Sequence, residues 1–212
     1  MVTLAIFVIL CLLAIPSFNA WIANDRVRAM AEDMANGLRL AKTEALRRSR
    51  QTVFALTTES NPAGAINAGA PAYSAVASNA RNWAISVIPS QMDANGVFVR
   101  GGAMATDIGS GVIIDGPAAI CFDPQGNMLT DADAIAAIAN TGVGSACSAP
   151  ASSQPVQIYT IKSASAVGDH PLQIEVGLGG QVRLCNPNPA LSLSSGTPQS
   201  SEACQYPPTS TP

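Results

Sequence analysis

The chain opens with MVTLAIFVILCLLAIPSFNAWIANDRVRAMAEDMANGLRLAKTEALRRSR, residues Met1–Arg50, and the reading of this stretch decides the fold. No charged side chain precedes Asp25. Beyond it, Val27, Met30, Met34, Leu38, Ala41 and Ala45 recur at spacings of three and four, which is one apolar stripe of a helix. A single continuous helix over these residues would be about 75 Å long at ~1.5 Å per residue. Its first half is apolar all round and suits lipid or the middle of a helical bundle. Its second half is apolar on one side and suits a lid lying across a sheet.

Met1 to Ala23 reaches the roughly 20 apolar residues that a bilayer-spanning helix needs, and a helix satisfies its own backbone groups in lipid. Pro16 lacks an N–H and clashes with the preceding turn, so a kink or local unwinding is expected there. A cleaved secretory signal fits poorly. No basic residue precedes the apolar run, and a cut after Ala20 would put bulky Phe18 where a small residue is needed. Asn24 or Asp25 could cap a local restart of the helix. Asp25, Glu32 and Asp33 come early and Arg47, Arg48 and Arg50 late, an order that complements the helix dipole. Glu44 can pair with Arg47 or Arg48.

Two phrases in this stretch carry a resemblance. MVTLAIFVILCLLAIPSF resembles the N-terminal segment of type IV pilins and type II secretion pseudopilins. RVRAMAEDMANGLRLAKTEALRRSRQTV resembles the second part of the N-terminal helix in the GspH/FimT/FimU branch, where an "LRLAxxEALRR"-like phrase precedes the first strand. In the family the apolar segment follows a short basic leader, a glycine and the motif FTLIEL. The quoted stretch starts after all three, so Met1 is expected to be an internal methionine of a longer frame or the start of a trimmed sequence. The cleavage site, the N-methylated phenylalanine and the family's glutamate then fall outside it.

Composition sets further bounds. Charged residues make up only 12% of the chain, so the surface is neutral and polar rather than strongly solvating. Seven of the 11 Lys and Arg lie between Arg26 and Arg50, while ten of the 14 Asp and Glu lie after Arg50. The part beyond Arg50 therefore carries four cations and ten acids, a net of −6. That argues against broad electrostatic affinity for nucleic acid, which needs clustered Lys and Arg. Cys11 lies in the apolar run and reads as a lone buried thiol. Cys121, Cys147, Cys185 and Cys204 form an even set behind a membrane anchor, which fits disulfides in an oxidising space. Three pairings are open; Cys121–Cys147 with Cys185–Cys204 is favoured, because each closes a Ser/Gly/Pro-rich loop. Zinc is disfavoured, since no CxxC pair exists and His170 is the only histidine. Counting positive charges would place the arginine-rich side in the cytoplasm; the disulfide reading and the topology implied by the resemblance oppose that.

The head follows in chain order. Gln51–Thr58 reads as a strand with Val53 and Phe54 at its centre. Residues 59–80 read as a long loop. Asn82–Pro89 alternates Trp83, Ile85 and Val87 against Ala84, Ser86 and Ile88, which suits a half-buried strand. A turn at Asp93–Gly96 leads into Val97–Val99. Val112–Ile114 and Ala119–Phe122 are short strands, the second running into an Asp123-Pro124-Gln125-Gly126-Asn127 turn. That "strand, F-D-P-x-G" phrase also resembles the GspH/FimT head. Asp131–Ala139 could form a helical turn, and Asn140–Pro155 is a loop holding Cys147. Val156–Ser163 is the clearest strand, and PLQIEV with QVRLC form a closing hairpin around Gly177–Gly180. Asn186 onward is Pro/Ser/Thr-rich, expected to be ordered to Cys204 and frayed after it.

No catalytic constellation is present: no phosphate loop, no nucleophile elbow and no paired carboxylates on one face. His170 reads as a surface histidine in a turn. Asp107, Asp115, Asp123, Asp131 and Asp133 are scattered through turns, and the last two lack the spacing of a calcium loop. Some FimT pilins active in DNA uptake carry a C-terminal GRxR phrase whose arginines touch DNA. The matching stretch here is Gly180-Gln181-Val182-Arg183, so the resemblance implies a DNA contact at Arg183 with Gln181 in place of the other arginine. The alternative is that Arg183 is an ordinary exposed strand residue.

The expectation is thus an α+β pilin fold: a long N-terminal helix, apolar stem plus amphipathic half, packed on an antiparallel β-sheet head with disulfide-closed loops. Its parts are a transmembrane or filament-core helix at 1–23, an amphipathic helix at 24–50, a β-rich head at 51–204 and a flexible tail at 205–212. The resemblance implies a non-enzymatic minor pilin without cofactor or metal. It would be held in the bacterial inner membrane with a periplasmic head, then assembled with other pilin subunits into an extracellular filament, priming assembly or sitting near the tip. A DNA-binding uptake pilin and a type II secretion pseudopilin are the alternatives.

Overall fold

Helix α1 runs from Val2 to Arg48 as one uninterrupted element of 47 residues, about 70 Å long at ~1.5 Å per residue. This computed structural model describes residues 2–62, 79–88, 97–104, 111–130, 147–150, 155–164, 170–188 and 203–206, with side chains from Phe18 onward. The backbone stays helical through Pro16 and through Asn24–Asp25, so neither local unwinding nor a restart occurs. Asn24 does not act as a cap: its Oδ1 is buried and accepts no hydrogen bond among the described residues. The helix ends in a double closure. Ser49, in the left-handed region at φ 49°, donates to the Leu46 carbonyl at 3.3 Å, and Arg50 donates to the Ala45 carbonyl at 3.2 Å. These two bonds satisfy carbonyls that the last turn would leave open and turn the chain into the first strand.

Among the described residues, eight strands follow, and the antiparallel head is built from two sheets of four. The first sheet holds β1 (Thr52–Thr57), β2 (Asn82–Val87), β3 (Val97–Gly102) and β5 (Ala119–Phe122), in the order β3-β2-β1-β5. The second holds β4 (Val112–Asp115), β6 (Val156–Ser163), β7 (Leu172–Gly177) and β8 (Val182–Cys185), in the order β4-β6-β7-β8. The predicted closing hairpin is β7–β8, which pairs Gln173 with Cys185 and Val176 with Val182. The Asp93–Gly96 turn and the Asp131–Ala139 helical turn lie outside the described residues.

The α1 stripe is the spine of the core. Val27, Met30, Met34, Leu38, Ala41 and Ala45 are all fully buried, together with Ala31 and Ala35 between them. Phe54, Leu56, Trp83, Ile85, Ile120 and Phe122 of the first sheet meet this face, as do Ile114, Tyr159, Ile161, Ile174 and Val176 of the second. Strand β2 is a correction to the sequence reading: it is buried along its whole length, not on one side. A second apolar layer explains it. Val53, Ala55, Ala84, Ile88, Ala119, Cys121 and Cys147 pack together with Phe98 and Leu129, so the first sheet has α1 on one face and this cluster on the other. Alternation along a single strand cannot reveal what covers the second face.

Gly37 is a point of close approach between helix and sheet. A Cβ there would stand 3.0 Å from the Phe54 ring and 3.1 Å from the Trp83 indole. Those two rings stack, with centroids 5.5 Å apart, and the indole N–H donates to Asp33 Oδ2 at 2.7 Å.

Candidate functional site

Two surfaces remain once the core is accounted for: the part of α1 that emerges from the head, and the disulfide-tied end of the head beside β7 and β8. Among the α1 residues whose side chains are described, the first buried one is Val27. On the N-terminal side of that position, Phe18 and Trp21 are the most exposed large apolar residues among those described, at 61% and 59%. Among the described residues, no helix is long and apolar enough to cross a membrane. The apolar run expected to do so, residues 1–23, falls mostly where side chains are not described, Cys11 included.

The five arginines within α1 are exposed, yet three cationic side chains on or just past the helix reach the head. Lys42 donates to the Gly179 carbonyl at 2.9 Å, Arg39 to the Val182 carbonyl at 3.4 Å and Arg50 to the Ile88 carbonyl at 2.7 Å. Glu44 takes both of its expected partners: Arg47 Nη2 lies 2.7 Å from its Oε2 and Arg48 Nε 2.8 Å from the same oxygen. The hydrogen bonds from Arg47 and then Arg48 hold the Glu44 carboxyl below the usual carboxylate range, outweighing the opposing effect of its burial. This cluster clamps the last turn of the helix rather than forming a reactive centre.

The β7–β8 turn is seated against the Asp123–Asn127 turn. Gly180 has φ +66°, and a Cβ there would run into the Gly126 carbonyl. Met128 donates to the Leu178 carbonyl at 2.8 Å. Asp123 organises its own turn, its Oδ1 accepting from the Gln125 and Asn127 amides at 2.9 and 2.8 Å. Asp115 pairs with Lys162 at 2.7 Å. Both aspartates are therefore structural, while Asp107, Asp131 and Asp133 lie outside the described residues. His170 is exposed, just ahead of β7.

The four head cysteines are joined as Cys121–Cys147 and Cys185–Cys204, with Cα atoms 5.6 and 5.0 Å apart. The first bond ties Cys147 beside β5, where Ser148 donates to the Ala119 carbonyl at 2.9 Å. The second ties the C-terminal segment to the end of β8. Glu175 lies close enough to Cys185 and Cys204 for a three-ligand set, but both sulfurs are committed to the disulfide, so the trio cannot act as thiolate ligands. Glu175 Oε1 instead accepts the Tyr206 amide at 2.7 Å, and Gln173 Nε2 donates to the Tyr206 carbonyl at 2.8 Å. The described chain is thus held two residues past Cys204.

Arg183 belongs to the same clamp. It stands opposite Glu175 in the β7–β8 register, is half-buried, and its Nη2 donates to the Ala203 carbonyl at 2.9 Å. Gln181 is exposed, and its carbonyl accepts the Gly177 amide at 3.0 Å across the turn. The GQVR phrase therefore divides: its glutamine faces outward, and its arginine holds the C-terminal segment. Sequence reasoning missed that second role, because no local pattern indicates a carbonyl 20 residues away.

No curated protein matches the chain. Among solved structures, it resembles the type IV minor pilin FimU of Pseudomonas aeruginosa strain PAO1 in two crystal forms. One matches at 11% identity and a TM-score of 0.45 over 76% of this chain and 89% of that one. The other matches at 11% identity and a TM-score of 0.41 over 74% and 90%. A family model described as Type II transport protein GspH matches residues 30–160, more than half of the chain. The match takes in the buried half of α1 and β1 to β5, so the α+β architecture is a pilin fold and the protein a structural, non-enzymatic subunit. The chain belongs to the GspH family of type IV pilin and type II secretion pseudopilin subunits.

Proposed function

We propose that this chain is a minor pilin. It anchors in the bacterial inner membrane through residues 1–23, carries its head in the periplasm and is then taken into a type IV pilus, where it primes assembly or sits near the tip. The observation that supports this is the division of α1. From Val27 to Ala45 its stripe is sealed by both sheets, whereas Phe18 and Trp21 stand exposed outside the head. Two large apolar rings left exposed ahead of the head need a second apolar environment. Lipid before assembly and neighbouring stems after it supply one. The disulfides agree with an oxidising compartment.

The test is deletion of residues 1–23. Exported behind a cleaved secretory signal, the truncated chain should accumulate as a periplasmic soluble head and be absent from sheared filaments, while the full chain fractionates with the inner membrane and appears in those filaments. A full chain that stays out of the membrane fraction would refute the proposal. The family description favours one other assignment, a minor pseudopilin of type II secretion. Loss of secreted enzymes with intact pili on gene disruption would select it.

A further inference from the structure

We infer that Phe18 and Trp21 form an aromatic float on α1, seated in the headgroup layer of a phospholipid bilayer, which sets how far the head stands from the membrane. This rests on the anchoring proposal above and adds a depth to it. The two residues are three apart, so they share one helix face. Their rings touch, with centroids 5.7 Å apart at an interplanar angle of 43°. Both are more than half exposed, so the head leaves this face open.

Position along the helix then selects the occupant. Residues 1–17 carry no charge, and the first charged residues, Asp25 and Arg26, are exposed. Trp21 precedes Asp25 by about 6 Å, and the first core residue, Val27, lies about 9 Å beyond Trp21, at ~1.5 Å per residue. The pair therefore sits at the step between an uncharged rod and a charged, head-bound one. Trp has an apolar body and an N–H that needs a polar partner, which is why it concentrates at the membrane–water boundary. A headgroup phosphate or ester carbonyl meets the N–H while the acyl boundary takes the ring. With the core starting only about two turns farther on, the head would rest against the headgroups.

The full chain and its Trp21→Phe variant are reconstituted in phosphatidylethanolamine–phosphatidylglycerol vesicles. Each preparation contains lipids brominated near the headgroup, at mid-chain or at the chain end. The difference between the two emission signals isolates Trp21; Trp83, only 2% exposed in the core, should be unquenched throughout and serves as the internal standard. The expected result is a Trp21 signal at shorter wavelength than in urea, quenched most by the shallowest bromines and progressively less by deeper ones. Quenching strongest at the chain end, or absent at every depth while the protein floats with the vesicles, would overturn the float and leave the anchor standing. Protein that does not float with the vesicles would overturn both.

Discussion

Replacing Gly37 with alanine sets two measurable effects against each other. In an isolated helix the change gains about 1 kcal/mol, because glycine loses the most backbone freedom on folding. Here the added methyl would lie 3.0 Å from the Phe54 ring and 3.1 and 3.2 Å from two atoms of the Trp83 indole, closer than carbon atoms rest. The outcome depends on whether the rings can yield. Trp83 is held by its 2.7 Å bond to Asp33 and by its stack on Phe54, and a fully buried Tyr159 closes on Phe54 edge-on at 6.3 Å. Overpacking of a close-packed site costs about 1–3 kcal/mol. The net is a destabilisation of about 1 kcal/mol, or ~2–4 °C in melting temperature for a head of this size. Urea unfolding of the detergent-solubilised chain, followed by far-ultraviolet circular dichroism so that the same probe serves every variant, measures it. Pairing Gly37→Ala with Trp83→Phe in a double-mutant cycle should shrink the penalty, since the smaller ring leaves room. A Gly37→Ala protein as stable as the parent, or more so, would show that the rings move freely and refute the argument.

Three more outcomes follow from the same contacts. Asp33→Ala leaves a buried indole N–H without its partner and should cost about 1–3 kcal/mol, with Asp33→Asn recovering part of the loss by equilibrium unfolding. The Glu44 carboxyl titrates below its unfolded value in the folded chain, so its contribution is present at neutral pH and disappears as pH falls through the lowered folded value. Glu44→Gln should flatten that acidic limb of a stability–pH curve, by about 0.5–1 kcal/mol or less given the solvent around the pair. Replacing Cys185 and Cys204 together with serine opens a loop spanning 19 positions and should cost about 3 kcal/mol. Amide exchange should then rise at Tyr206, whose N–H is held by Glu175.

The family phrase and the helix were legible in the sequence because both are local. The stripe from Val27 to Ala45 depends only on spacing, and every member of it is buried. The same holds for Glu44 with its two arginines, one turn away, and for the hairpin at Gly177–Gly180, where turn chemistry sets the register. What could not be read is what lies on the far side of each element. Alternation in β2 implied one wet face, and the second apolar cluster made it dry.

By itself, then, the chain of residues determined a long helix with one buried stripe, a set of short antiparallel strands and an acidic head behind an uncharged stem. Periodicity and net charge need no partner to be read. Only the tertiary structure decided that the strands form two sheets around that helix, that Gly37 is a contact point between helix and aromatic stack, and that Arg183 secures the C-terminal segment through Ala203. Each of these joins groups distant along the chain, as Asp33 and Trp83 are joined across 50 positions. Which distant groups meet is set by the packing of the whole core and not by the neighbours of either residue.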